Sequence, residues 1–160
     1  MTRHSPFAAD GWAPQPTGLP DPDTQSEFYA DTAVKRLFAW LVDGFVIFLI
    51  SLTLALLTFG LGFFVFAPLS LAVSFLYRSV SIANRSATPG MRLMAIELRN
   101  HRGERLDAPT AMFHTAGHLA SMAFTPLQLI SIVLMLTNAR GQSLIDMLLG
   151  TAMINRAANS

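Results

Sequence analysis

The sequence contains no cysteine and few charged residues. Its 160 residues include 13% Asp, Glu, Lys and Arg against 52% hydrophobic residues, and the mean hydropathy is +0.44. The absence of cysteine excludes disulfide bonds, thiolate metal sites and thiol redox chemistry. Because a chain of this length has room for one small domain, the apolar excess cannot be a second soluble core. These proportions indicate a membrane protein.

Charge is almost absent from the first long apolar run, residues 37–58, where Asp43 is the only charged residue. A helix of this length spans about 33 Å, which is enough to cross a hydrocarbon core of about 30 Å. A carboxylate at that depth costs about 2.5–3.5 kcal/mol, so function should be sought there. Arg36 lies two helical turns earlier and on the same face.

A second apolar run follows Gly60 and Gly62 and reaches residue 82 if Arg78 extends to the lipid headgroups. Since no charge lies between Asp43 and Arg78, the two runs predict a transmembrane hairpin with a very short turn. Nine Lys or Arg residues lie before the hairpin and in the loop after it, against none in its turn. This asymmetry predicts a multi-pass protein of the cell inner membrane with a cytoplasmic N-terminus. The basic loop is expected to face anionic headgroups.

The third apolar region, residues 108–137, is interrupted at Thr125-Pro126. A threonine N-cap followed by proline at the first helical position is a helix start signal, so two short helices are expected. They form either one long tilted helix with a kink or two helices that turn back. The charge asymmetry favours the second arrangement, but both remain open, as does the side of the C-terminus.

The remaining segments are short. Residues 1–32 are rich in proline and carboxylates and lack periodicity, which predicts a disordered cytoplasmic tail. No apolar core of a signal peptide occurs in that tail. Alternation near Ile96 and Ile154 predicts two short strands that can pair on the cytoplasmic face. The expected fold is an all-α membrane domain over residues 33–156, with this small strand pair, followed by a flexible end at 157–160.

Two further stretches have a specific pattern: SATPGMRLMAIEL at residues 86–98 and RGQSLIDMLLGTAMI at residues 140–154. Together with Arg36 and Asp43, they resemble the RDD family of small bacterial membrane proteins, which is named for one arginine and two aspartates. The resemblance places these three residues at Arg36, Asp43 and Asp146. It implies a polytopic helical membrane protein of a kind often described as transport-related.

The sequence departs from the family pattern at several positions. Ile145 stands where the family usually has histidine before the second aspartate, and Met91 stands where it often has lysine. His114 and His118 replace arginines at the start of the third apolar region. A mechanism that needs those particular cations would therefore not apply to this chain.

The charged residues allow two interpretations. In one, Arg36, Arg78 and Asp146 neutralise Asp43 and hold the helices together, because buried charges need partners. In the other, Asp43 couples to a proton or cation. His114 and His118, four residues apart, share a helix face and are accessory candidates for protonation. They lack a third ligand for a metal, so no metal site is expected.

We find no nucleophile motif, P-loop or dinucleotide fingerprint, so neither an enzyme nor a cofactor is expected, and nothing indicates a nucleic-acid partner. The sequence favours a transport-type protein coupled to protons or cations, with Asp43 as acceptor and Arg36 as its regulator. Because so few helices hardly enclose a pathway alone, we expect a homo-oligomer or a larger membrane partner. The alternative is a non-catalytic assembly or adaptor subunit whose charges are structural.

Overall fold

The computed structural model describes residues 17–156, which are mostly helical. The helices and strands follow one another along the chain as α1 (Thr32–Leu57), α2 (Phe66–Arg85), α3 (Pro89–Leu93), β1 (Ile96–Asn100), α4 (Ala108–Ala123), α5 (Thr125–Thr137), α6 (Leu144–Leu149) and β2 (Thr151–Asn155). Two short 3-10 helices precede α1 and α2, at Ser26–Phe28 and Leu61–Val65.

Helices α1 and α2 form the expected hairpin. With their 3-10 extensions they reach mean hydropathies of 2.3 and 1.6 and are long and apolar enough to cross a membrane. The turn is tight because Gly62 donates its N–H to the Thr58 hydroxyl at 2.7 Å. A Cβ atom on Gly62 would lie 2.6 Å from the Cα atom of Ala55, so only glycine fits at this contact. The prediction of two apolar membrane helices is confirmed.

Helices α4 and α5 are joined at a bend of 115°. Asp107 caps α4 by accepting the N–H of Thr110 at 3.1 Å. The break falls at Phe124, which has an extended backbone, so Thr125 is the first residue of α5 rather than its N-cap. The pair could serve as one broken span or as a re-entrant loop by length and composition.

Strands β1 and β2 pair antiparallel, with Leu98 opposite Met153 at the centre. The predicted two-stranded element is therefore confirmed. Ile96, Leu98 and Met153 are buried in one core with Ala39 of α1 and Ile82 of α2. The sheet thus closes the ends of α1 and α2 that lie away from the hairpin turn.

Residues 17–31 differ from the predicted disordered tail. Leu19 and Tyr29 are buried against Ala152 and Ile154 on the second face of β2. The Tyr29 hydroxyl also donates to the Pro20 carbonyl at 2.8 Å. Local composition could not show this packing, because its apolar partner is a strand more than a hundred residues away. The rest of the predicted tail, and the C-terminal end at 157–160, lie outside the described residues.

Candidate functional site

Asp43 is fully buried on α1 and is bound by groups from α2 and from the N-terminal end of α3. Its Oδ1 atom accepts hydrogen bonds from the Tyr77 hydroxyl of α2 at 2.9 Å and from the Gly90 N–H at 2.8 Å. Its Oδ2 atom accepts from the Thr88 hydroxyl at 2.6 Å. The nearest nitrogen of Arg78 is 3.6 Å from Oδ2, which is an ion pair but longer than a hydrogen bond. Neutral donors therefore hold Asp43 more closely than its cation does.

The Thr88-Pro89-Gly90 turn explains how α3 reaches this carboxylate. Thr88 is the N-cap of α3, and its hydroxyl also accepts the N–H of Met91 at 3.2 Å. A Cβ atom on Gly90 would lie 2.4 Å from the Ala39 carbonyl oxygen and 2.7 Å from Oδ1 of Asp43. Glycine is required at this position because the backbone approaches α1 so closely.

Asp146 is the second fully buried carboxylate. Its Oδ2 atom lies 2.6 Å from the Arg36 guanidinium and accepts from the Ser143 N–H and hydroxyl at 2.9 and 2.8 Å. Its Oδ1 atom contacts His114 Nε2 at 2.9 Å and accepts from the Thr151 hydroxyl at 3.1 Å. The network ties α1, α4, α6 and β2 together around one charge.

The surroundings of Asp146 decide its charge. Burial by itself would raise the pKa of this carboxyl, but the Arg36 guanidinium and the hydrogen bonds from His114 and Ser143 hold the pKa well below its ordinary value of 3.8. Asp146 is therefore ionised at neutral pH, and Arg36 keeps a charged partner in the protein interior.

The charged residues fall into two networks, which corrects the expected relation between Arg36 and Asp43. Arg36 contacts Asp146, and Arg78 is the cation that contacts Asp43 in the described part of the chain. Arg36 and Asp43 lie on the same helix, as expected, but Arg36 forms its ion pair with Asp146 of α6. The cation nearest to Asp43 is therefore Arg78 and not Arg36.

A cavity of about 460 Å³ lies between α1, α2, α4 and α5. Its volume falls within the range of about 300–1,000 Å³ that is typical of ligand pockets. The predicted site residues that line it are Arg36, Asp43, Arg78, His114 and His118. Asp146 reaches this group through its contacts with Arg36 and His114. The structure thus brings all six predicted residues together around one cavity or directly behind it.

Several residues of the site were not predicted from the sequence: Tyr77, Thr88, Gly90, Ser143 and Thr151. A local signal existed for Ser143, because Ser at an N-cap with an acidic residue three positions later forms a capping box, as Ser143 and Asp146 do. No local signal identifies Tyr77 or Thr88 as partners of Asp43. Their role depends on how α2 and α3 pack against α1.

The described residues contain no group of three His, Cys, Asp or Glu side chains that could hold a metal ion. The two buried carboxylates of the site instead contact Arg36, Arg78 and His114. The arrangement holds two buried carboxylates between the helices and encloses a cavity large enough for a small ligand.

Two long apolar helices, a bent third apolar region and two buried ion pairs define a helical membrane protein. The RDD family model matches residues 30–150, so the chain belongs to the RDD family. This confirms the resemblance seen in the sequence, and Arg36, Asp43 and Asp146 all lie within the matched region. No curated protein and no solved structure matches the chain significantly.

Proposed function

We propose that this protein is a transport-type protein of the cell inner membrane, coupled to protons or cations, and that it performs no catalytic reaction. The observation that supports the proposal is the cavity between α1, α2, α4 and α5, because ionisable side chains line it inside the helical part. Ionisable groups in membrane segments are costly and commonly mark ion or proton pathways. Asp43 and His114 are the groups proposed to exchange a proton with this cavity.

Asp43 is the better coupling group because its cation is not tightly bound to it. Protonation of Asp43 would break a 3.6 Å ion pair but no hydrogen bond from a cation. The three neutral donors would have to rearrange, since a protonated carboxyl offers fewer acceptor sites. His114 is the accessory group, since histidine is the side chain that ordinarily exchanges protons at physiological pH.

The test is a measurement of cation flux into proteoliposomes that contain this protein and no other. We expect pH-driven flux of Na⁺, K⁺ or Li⁺ above empty vesicles, and loss of that flux in Asp43→Asn, which keeps the shape of the side chain and removes its charge. Asp107→Asn is the matched control, because Asp107 is an exposed helix cap. No flux with any of the three cations contradicts cation coupling, whereas flux that survives Asp43→Asn removes Asp43 from the mechanism.

The orientation proposed is a cytoplasmic N-terminus, with the loop after α2 on the same side. In support, Lys35 at the start of α1 donates to the Asn155 side chain of β2 at 2.7 Å, and β2 pairs with β1. These contacts gather the start of α1 and both strands at one end. We propose two full crossings by α1 and α2 and a re-entrant α4–α5. Labelling of Asn100→Cys by an impermeant reagent in intact cells would contradict this orientation.

The basic loop is proposed to contact anionic lipid headgroups. A second cavity, of about 250 Å³, is lined by one carboxylate, Glu97, and by four arginines, Arg85, Arg92, Arg105 and Arg156. Clusters of arginine beside a membrane helix attract anionic lipids by electrostatics. Anionic lipid added to the protein in detergent should raise its thermal stability more than zwitterionic lipid does. This difference should be smaller in an Arg85→Gln/Arg105→Gln variant.

A second candidate function is a membrane assembly or adaptor subunit, which acts with a larger membrane protein. The observation that favours it is that both buried carboxylates are bound by donors from several elements, as structural charges are. Purification in mild detergent separates the two functions. A defined homo-oligomer with flux supports transport, and a stable complex with another protein and no flux supports the adaptor function.

A further inference from the structure

Several buried polar atoms around the large cavity have no hydrogen-bond partner among the described residues. They are Arg36 Nε and Nη2, Arg78 Nε, His114 Nδ1 and Thr115 Oγ1. All four residues line the cavity, and Arg78, His114 and Thr115 are only 6%, 8% and 1% exposed. Since buried polar groups are nearly always paired, this concentration indicates a missing partner.

The unpaired atoms decide the charge of that partner. The guanidinium nitrogens of Arg36 and Arg78 only donate hydrogen bonds, and the Thr115 hydroxyl can donate as well. His114 Nδ1 is the exception, because it is an acceptor in the neutral ring that donates from Nε2 to Asp146. The carboxylates, in contrast, already receive hydrogen bonds on both oxygens of Asp43 and of Asp146. Most acceptor sites of the two carboxylates are therefore occupied, whereas an oxyanion would find several free donors.

Most of the remaining cavity wall is apolar, and it reaches the surface between two helices. Val34 and Leu37 of α1 and Ile132 and Leu136 of α5 line the cavity and are also exposed on the outside of the chain. Helix α1 packs mainly on α2 and α3, whereas α5 packs on α4 and α6. Between α1 and α5 the packing is sparse, although Arg36 Nη1 contacts Met135 Sδ at 3.3 Å, and this leaves a gap beside the cavity. An apolar chain could therefore lie in the gap and continue into the lipid.

We infer that the cavity binds an amphipathic oxyanion, with a carboxylate or phosphate headgroup between Arg36, Arg78 and Thr115 and an acyl chain between α1 and α5. The inference rests on the proposed function in one respect, because it makes this molecule the cargo and leaves the proton as the coupling ion. The binding site itself stands on the free donors and the apolar gap.

Trp40 gives a local measurement of binding, because it lines the cavity and is one of two tryptophans in the chain. In a Trp12→Phe variant, Trp40 is the remaining tryptophan. We expect saturable quenching of its fluorescence by a brominated fatty acid or a brominated phosphatidate in detergent. The brominated alcohol of the same chain length should bind at least about tenfold more weakly, because it lacks the charge.

Two variants test the headgroup site. Thr115→Val keeps the shape of the side chain and removes the hydroxyl, and its matched control is Thr53→Val, an exposed position whose hydroxyl bonds only within α1. Arg78→Gln in an Asp43→Asn background removes the cation without leaving a buried charge unpaired. We expect both to weaken binding of the acid, the second by about tenfold or more, and to leave binding of the alcohol unchanged.

The results of these experiments distinguish a lipid headgroup from free phosphate, and they distinguish this inference from the proposed transport function. Equal quenching by acid and alcohol, or acid binding that is insensitive to both variants, overturns the headgroup site. Inorganic phosphate that displaces the brominated acid at equal affinity overturns the acyl-chain part. Absence of saturable quenching overturns the whole inference and leaves water as the partner. Proton-driven flux without such binding rejects this inference alone, whereas binding without flux rejects the transport function alone.

Discussion

The two buried carboxylates are held in different ways. Asp146 has the guanidinium of Arg36 at 2.6 Å, whereas Asp43 has that of Arg78 at 3.6 Å and closer contacts with neutral donors. Asp146 lies on a short helix beside the strand pair, and Asp43 lies inside a long apolar helix. Both are fully buried, so the difference is in the partners and not in the solvent exposure.

This difference separates a carboxylate in direct contact with a cation from one bound mainly by neutral donors. A carboxylate in direct contact with a cation stays ionised, since protonation would leave the cation buried and unpaired. Asp43 is instead held mainly by hydroxyl and amide groups, with its cation at a longer distance. We therefore interpret the Asp146 network as the stronger anchor of the fold, and the Asp43 network remains the one proposed to exchange a proton.

The largest expected effect is on the Asp146 network. Asp146→Ala removes the partner of Arg36 and should lower the free energy of unfolding by about 3–5 kcal/mol, because a buried charge is left without compensation. Thermal or denaturant unfolding in mild detergent measures this change. Asp43→Ala should cost less, and an equal or larger cost would contradict the distinction between the two networks.

A matched pair of threonine variants compares the hydroxyl donors. Thr88→Val removes a 2.6 Å hydrogen bond to Asp43, and Thr151→Val removes one of 3.1 Å to Asp146. We expect a loss of about 2–3 kcal/mol for the first and about 1 kcal/mol for the second, because Asp146 keeps its cation. The same unfolding measurement decides, and equal losses would mean that Asp43 depends on hydroxyl donors no more than Asp146 does.

Double-mutant cycles identify which cation serves which carboxylate. Arg36→Gln with Asp146→Asn should show a coupling of about 2–3 kcal/mol, and Arg78→Gln with Asp43→Asn a smaller one of about 0.5–1 kcal/mol. The crossed pair, Arg36→Gln with Asp43→Asn, should be additive within about 0.5 kcal/mol. Strong coupling in the crossed pair would restore a direct action of Arg36 on Asp43.

The smallest effect is expected in the pH dependence of stability. Because the folded state lowers the pKa of Asp146, the unfolded chain binds a proton at higher pH than the folded chain does. The stabilisation by this group is complete above its ordinary value of 3.8 and is lost as the pH falls below it. The free energy of unfolding should therefore fall more steeply with decreasing pH for the wild type than for Asp146→Asn. Unfolding measured at stepwise lower pH tests this, and the same pH dependence in both proteins would contradict the lowered pKa.

Much of the fold could be predicted from the sequence because the signals are local. Uninterrupted apolar runs identify α1 and α2, and Thr125-Pro126 places the break in the third apolar region to within one residue. Alternation of apolar residues locates both strands. The positions of Asp43 and Asp146 were found because a charge in an apolar run, or in a family motif, is visible without knowledge of its partner.

The pairing of the charges could not be predicted in this way. On α1, Arg36 and Asp43 share a face and invite the interpretation of a single pair, but each meets a partner from a distant segment. Asp146 is 110 residues from Arg36, and Arg78 is 35 residues from Asp43, so only packing brings them together. Packing between distant segments also determines the structure of residues 17–31, which contact β2.

By itself, the sequence determined that this is a membrane protein of the RDD family, where its apolar helices and strands lie, and which few residues carry charge in them. Hydropathy and periodicity act over one or two helical turns, so the local sequence is enough for them. Only the tertiary structure decided which arginine binds which aspartate, that Thr88 and Gly90 hold Asp43, and that unpaired donors surround a cavity. Those features depend on the relative placement of α1, α2, α4 and α6, which is set by packing between segments far apart in the chain.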